Sequence, residues 1–195
     1  MDVTYFNNIP FHLERDEIGE ILKLRKRESM METLDEQIQL AMEVAVPKAA
    51  YFDTLITAKD EGSVTFGGQV FHSKTLAEAL ALGQMIYPYI ITIGTEMEEK
   101  YQALDDIMEQ YILDGVQGII LGQATDFVAN ALKEKYRIDQ VVYHIPGALD
   151  DWDLQEQPYL FELFGETQAR LGVVLSHSHL MRPSKSVSGV YYAVK

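Results

Sequence analysis

Three histidines and a group of carboxylates are the residues of this chain best suited to chemistry. His177 and His179 stand two positions apart. On a strand that spacing puts both side chains on one face, where the two imidazoles could converge on one metal ion with His144 as third ligand. Hydrogen-bonded structural roles suit the same pair. Asp150, Asp151, Asp153 and Glu156 offer the clustered oxygens that hard cations take. They read equally as the start of a helix at Leu154, with Asp153 as N-cap, Glu156 as its capping-box partner and Pro158 still in the first turns. Ser176, Ser178, Ser184, Ser186 and Ser188 supply hydroxyls. None lies in a Gly-x-Ser-x-Gly elbow, and their crowding ahead of Gly189 suits a polar turn that hydrogen-bonds a ligand or a neighbouring loop. No two groups have the spacing of a general acid and base.

The elements that must position these residues follow from periodicity. Between about residues 14 and 46, apolar positions recur at helical spacing (Ile18, Ile21, Leu22, then Leu34, Ile38, Met42), which predicts a helix pair, with Thr33 and Glu36 as a capping box. The basic cluster Lys23, Arg25, Lys26, Arg27 is expected at a helix C-terminus, where it complements the dipole. From 49 to 71 the pattern turns to strands, and Gly67-Gly68 marks a two-residue hairpin. Thr75 with Glu78, and Thr95 with Glu98, open two further helices by the same capping signature. Between them the apolar run 86–93, bounded by Gly83 and Gly94, is a buried strand. The longest helix is expected from about 106 to 136, with Leu113, Val116, Ile120, Phe127, Ala131 and Leu132 on one stripe. Gly115, Gly118 and Gly122 form a second stripe. Each glycine costs a helix about 1 kcal/mol relative to alanine, so something is expected to come close to the backbone there, either a packed element or a flat ligand. Polar Gln117, Gln123 and Asp126 exclude a membrane dimer motif.

This order lacks a β-α-β beat and a glycine-rich phosphate loop, so it predicts an α+β fold in one 195-residue domain, helical over 1–48. A formal charge of -14, from 30 acidic and 16 basic residues, repels phosphate backbones and argues against nucleic acid as a partner. No apolar run approaches the roughly 20 residues of a membrane span. With no cysteine, disulfides and thiolate chemistry are excluded, and a reducing cytoplasm is the expected compartment. The first ten residues have neither the basic start nor the apolar centre of a signal peptide.

The last fifth of the chain carries a more specific pattern. Ile145-Pro146-Gly147-Ala148 precedes an amphipathic segment at 154–164. A run at 175–181, read as a strand, then leads through Arg182-Pro183-Ser184-Lys185 into Ser186-Val187-Ser188-Gly189. In this order and at these separations, the segments resemble the reactivation domain of cobalamin-dependent methionine synthase. Upstream, two helices followed by a strand entered through Pro47-Lys48-Ala49 resemble free-standing proteins similar to that domain. The resemblance implies a twisted, mostly antiparallel sheet with helices grouped around it.

It also implies a function: binding S-adenosylmethionine and presenting it to a corrinoid held by a partner, a corrinoid-binding or methionine synthase-type protein. In that family an Arg-x-x-x-Gly-Tyr loop lets a guanidinium fork onto the ligand carboxylate while the tyrosine packs beside it. Aligned on Gly147, the arginine position is Tyr143 and the tyrosine position is Ala148. Trp152, the only tryptophan, is expected as a core anchor or as a stacking platform. Arg182 and Lys185, near the same loop by resemblance, are the cations available to replace the missing arginine, with Ser186 and Ser188 beside them. Two other classes of function stand beside this one: a metal-dependent enzyme built on His144, His177 and His179, which could also ligate a corrinoid cobalt, and a pure interaction module docking a protein through its acidic surface and glycine stripe.

Overall fold

In the computed structural model, which describes residues 2–25 and 27–194, the chain opens with β1 (Thr4–Asn7), α1 (Arg15–Ile21) and α2 (Glu28–Val44). Short strands β2 (Lys48–Tyr51), β3 (Thr54–Leu55), β4 (Ala58–Lys59), β5 (Ser63–Phe66) and β6 (Gln69–His72) lead to α3 (Lys74–Ala79). The long strand β7 (Met85–Thr92) and helices α4 (Thr95–Gln102) and α5 (Ile107–Tyr136) follow. After β8 (Val141–His144), a 3-10 turn (Leu154–Glu156) runs into α6 (Gln157–Glu162) and α7 (Thr167–Leu171), and the described chain ends with β9 (Val174–Leu175), β10 (Met181–Arg182) and β11 (Ser186–Ala193).

The main sheet is antiparallel throughout, in the order β1-β2-β7-β11-β8 with β3 also on β7. Alternation along a strand sends neighbours to opposite faces, and both faces of this sheet are covered. Ala49, Tyr89, Ile91 and Tyr191 pack with Ala124, Val128 and Leu132 of α5. On the other face, Ala50 and Ile90 meet Phe161, Phe164 and Leu171, and Ile86 and Val190 meet Trp152 and Leu160. The helices α1 and α2 pack on the N-terminal half of α5 through Leu34, Leu113 and Val116. Helices and mostly antiparallel strands thus make the expected α+β fold. Among the described residues no helix is long and apolar enough to cross a membrane.

Several local expectations hold. The Gly67-Gly68 turn joins β5 to β6 with both glycines at positive φ, 59° and 86°, as a two-residue turn of this hand requires. The long helix expected from about 106 to 136 forms as α5, and the structure adds its cap: the Asp106 carboxylate accepts from Met108 N and Glu109 N. The N-terminal part is not wholly helical, however. Thr4–Asn7 forms an edge strand on β2, a pairing with residues far along the chain that no local pattern announces.

The three threonine capping boxes are also corrected. Thr33 lies inside α2 and donates to Ser29 O. Ser73, two residues before Thr75, is the cap of α3, its Oγ accepting from Leu76 N at 3.0 Å. Gly94, at φ 101°, stands at the N-cap of α4. In each case the helix begins earlier than the signature, because the signature records which residues can cap and not where the preceding chain turns. Of the basic cluster, Lys23 and Arg25 lie beyond the end of α1 at positive φ and Arg27 precedes α2, so no basic residue sits in the last turn of α1; Lys26 lies outside the described residues.

The glycine stripe divides. A Cβ on Gly115 would come within 2.3 Å of Leu22, so there a packed side chain is what approaches the backbone. Gly118 and Gly122 are exposed, with nothing within 4 Å of a Cβ. They border a shallow groove against Tyr143.

Candidate functional site

Strand β8 ends at His144, and the chain then folds back in the 145–153 loop. Pro146 is buried, and Gly147 at φ 78° reverses the chain so that its N–H donates to Trp152 O at 2.7 Å. The loop is tied down at its far end. The Asp151 carboxylate accepts from Ser73 Oγ and Thr75 N, and these bonds hold its pKa below the ordinary aspartate value. The Asp153 carboxylate accepts from Gln155 N and caps the 3-10 turn as expected. Glu156 is not its box partner. It reaches β6 instead, taking the His72 backbone N–H at 2.8 Å and the ring Nδ1 at 2.6 Å. Asp151, Asp153 and Glu156 therefore serve separate partners, and the four carboxylates, Asp150 among them, do not gather into a cation site.

The stretch 175–181 is a hairpin where one strand was expected. β9 pairs with β10 through Met181↔Leu175 and Arg182↔Val174, and the turn between them closes with Ser176 N→Leu180 O and His179 N→Ser176 O. His177 and His179 lie in this turn, His179 at φ 63°, so the face-sharing rule of a strand does not apply to them. His144 belongs to β8, where its Nε2 meets Tyr192 Oη at 2.9 Å beside a different depression, next to Val142 and Gln84. Among the described residues no group of three or more His, Cys, Asp or Glu could hold a metal. The metal trio is thereby corrected.

Burial instead lowers the His144 pKa from 6.5. The unfolded chain then binds the proton more readily than the folded one, so stability is full above pH 6.5 and falls as the pH drops below it. Urea midpoints of wild type and His144→Phe measured between pH 7.5 and 5 are expected to diverge, the wild type losing more. Parallel curves would show that His144 does not contribute.

Between the loop and the hairpin lies a cavity of about 470 Å³. Ile145, Pro146, Leu154, Leu180, Met181 and Val187 form its apolar walls. Its polar lining comes from Gln157, Glu98, Gln102, Arg182 and the serines 176, 178, 184 and 186. Most of these groups are engaged with each other. Glu98 accepts from Ser184 N and from Gln102 Nε2, Ser176 Oγ bonds Ser178 Oγ and takes Leu180 N, and Ser186 Oγ donates to Thr92. Arg182 is different. It is exposed and, among the described residues, its guanidinium has neither an ion-pair partner nor a hydrogen bond.

Of the site residues expected from sequence, Pro146, Arg182 and Ser186 come together at this cavity. Gly147 and Ala148 are exposed at the loop turn and do not line it. Tyr143 points to the α5 face, packs edge-on against Tyr191 and lines the adjoining groove, which shares Ile145 and Val187 with the cavity. Lys185 is held by Asp114 of α5 at 2.8 Å. Ser188 is fully buried inside the sheet. Trp152 is not a stacking platform: it is fully buried, edge-on to Phe71. Gln157, Glu98 and Gln102 escaped the sequence reading. Glu98 was absorbed into a capping box, and a glutamine before Pro158 carries no signal of its own.

No family model matches the chain, and no curated protein sequence matches it. Among solved structures, a crystal structure of the MetH reactivation domain bound to AdoHcy superposes with a TM-score of 0.67 over 99% of this chain and 78% of the other, at 11% identity. The chain therefore has the α+β fold of that reactivation domain. At this identity the likeness is one of fold.

Proposed function

We propose that this chain binds an S-adenosylmethionine-type ligand in the cavity between the 145–153 loop and the β9–β10 hairpin. In this reading it acts as one domain, an accessory to corrinoid-dependent methyl transfer, beside a cytoplasmic partner that carries the corrinoid. The observation that carries the reading is Arg182: an unpaired guanidinium at a cavity of ligand size, in the fold of a domain crystallised with AdoHcy. A guanidinium presents a planar fork suited to a carboxylate. Arg182 thus supplies from the hairpin what Tyr143 and Ala148 no longer supply from the loop, whereas Lys185 is taken up by Asp114. The apolar walls suit the uncharged body of such a ligand. The bound ligand would supply the methyl group. The residues of the chain hold and orient it, which is a contribution of proximity and not of acid-base chemistry.

Isothermal titration calorimetry with S-adenosylmethionine and S-adenosylhomocysteine tests this. Saturable binding at or below about 100 μM, roughly -5.5 kcal/mol, is expected. Arg182→Ala is expected to weaken it about 10- to 100-fold, the range set by one charge-assisted hydrogen bond. No heat from wild-type protein at millimolar ligand would overturn the reading.

A further inference from the structure

Two of the side chains that line the cavity are charged, and their signs are opposite: Glu98 of α4 and Arg182 of β10. Among the described residues neither forms an ion pair, with the other or with any other group. The fold nevertheless ties them to one segment, because Glu98 Oε2 accepts from Ser184 N, two residues past Arg182. The other oxygen, Oε1, accepts from Gln102 Nε2 at 3.1 Å. Both donors are neutral, so the negative charge of the carboxylate stays uncompensated. They also fill only two of its roughly four acceptor positions. Glu98 is half-buried at the cavity wall and both its bonds are made near the surface, so a group entering the cavity can reach it.

We infer that Glu98 receives the α-ammonium of the ligand, so that the site reads an intact α-amino acid head and discriminates against the same molecule without its amino group. The inference rests on the proposed adenosyl ligand and names a second residue that holds its amino acid end. The carboxylate and the ammonium of that end share one carbon. With the first on Arg182, a carboxylate bonded to the backbone two residues further along is placed to meet the second. Each contact is a charge-assisted hydrogen bond, which orients the ligand as well as attracting it. A ligand with the carboxylate alone would satisfy Arg182 and leave Glu98 facing a like charge, an arrangement that disfavours the wrong partner. The sulfonium of S-adenosylmethionine is the other cation on offer. It stands farther from the ligand's carboxylate and has no hydrogen to donate, so it answers neither the position nor the open acceptors of Glu98.

Calorimetry on the full chain compares S-adenosylhomocysteine with its α-deamino analogue, which lacks only the amino group. Wild type is expected to prefer the amino compound by about tenfold or more, the range of a hydrogen bond between charged groups. Glu98→Gln keeps the shape of the side chain and an acceptor for Ser184 N but removes the charge, and is expected to bring the two affinities within about threefold. Because Glu98 also holds Ser184, the melting temperature of the variant is recorded, and the wild-type preference stands as a readout that needs no variant. Equal binding of both compounds by wild type, or a preference that survives in a folded Glu98→Gln protein, overturns the inference and leaves the proposed function standing. So does a preference for S-adenosylmethionine over S-adenosylhomocysteine that Glu98→Gln abolishes while the deamino analogue binds as well as its parent, since the carboxylate would then face the sulfonium. Absence of binding by S-adenosylmethionine and S-adenosylhomocysteine alike ends both.

Discussion

Replacing Trp152 by alanine is expected to destabilise the protein by about 3–5 kcal/mol, the cost of emptying a fully buried tryptophan site. Its ring is 0% exposed and lies edge-on to Phe71 at 6.1 Å between centroids. It belongs to the cluster in which Phe66 and Phe71 of a second, three-stranded sheet in the order β4-β5-β6, Leu160 of α6 and Val190 of the main sheet meet. Three units of structure therefore share one side chain, and the void left by alanine cannot be closed by shifting any single one of them. Its backbone also receives the Gly147 N–H, so the loop ahead of the cavity depends on the same anchor. Among the described residues the indole N–H has no hydrogen-bond partner. Trp152→Phe thus forfeits no polar contact and is expected to cost far less than the alanine change. Urea unfolding followed by far-ultraviolet circular dichroism is the measurement, because removing the only tryptophan removes the fluorescence probe. An alanine variant within 1 kcal/mol of wild type would mean that the cluster is not a core.

Gly189→Ala is expected to be nearly as damaging, at about 3 kcal/mol, the upper part of the range for overpacking a close-fitted site. A Cβ here would lie 2.1 Å from His144 O and 3.2 Å from Tyr89 Oη. The first of these is backbone, so no rotamer change can relieve it, and β8 must move off β11. The glycine of the Ser-Val-Ser-Gly run is thus required by space and not by backbone conformation, since Gly189 has no positive φ. Because β8 leads directly into the 145–153 loop, adenosyl-ligand affinity is expected to fall with stability. Gly118→Ala is the control, with open space around its Cβ. A Gly189→Ala protein that melts with wild type would show that the β8–β11 junction is looser than described.

Much of the scaffold was legible in the residues. The extent of α5, the apolar run of β7 and the Gly67-Gly68 turn each depend on near neighbours, and each forms as its pattern implies, with Leu113, Val116, Ile120 and Leu132 of the α5 stripe buried. The site was legible only in part. Pro146, Arg182 and Ser186 converge on the cavity, while Tyr143 and His144, adjacent on β8, point to opposite faces of the sheet and leave it. The histidine pair was misread because the resemblance implied one strand over 175–181, whereas the unbroken polar run Ser176-His177-Ser178-His179 between Leu175 and Leu180 forms the turn of a hairpin. The reversal is decided by Ser176, whose backbone and hydroxyl close the turn on Leu180.

By itself the sequence determined the α+β class, the long central helix, the buried central strand and the absence of cysteine chemistry, because periodicity, composition and turn residues act over a few positions. Only the tertiary structure decided which polar groups are left without partners. Lys185 and Arg182 stand three residues apart with equal claim to a ligand's carboxylate, yet Asp114, contributed by a distant helix, takes the lysine, and among the described residues nothing takes the arginine. The same holds for Gln157, whose Nε2 is taken by a hairpin carbonyl while its buried Oε1 has no partner among the described residues. Availability for binding is what remains after long-range pairing is complete, and no local pattern contains that remainder.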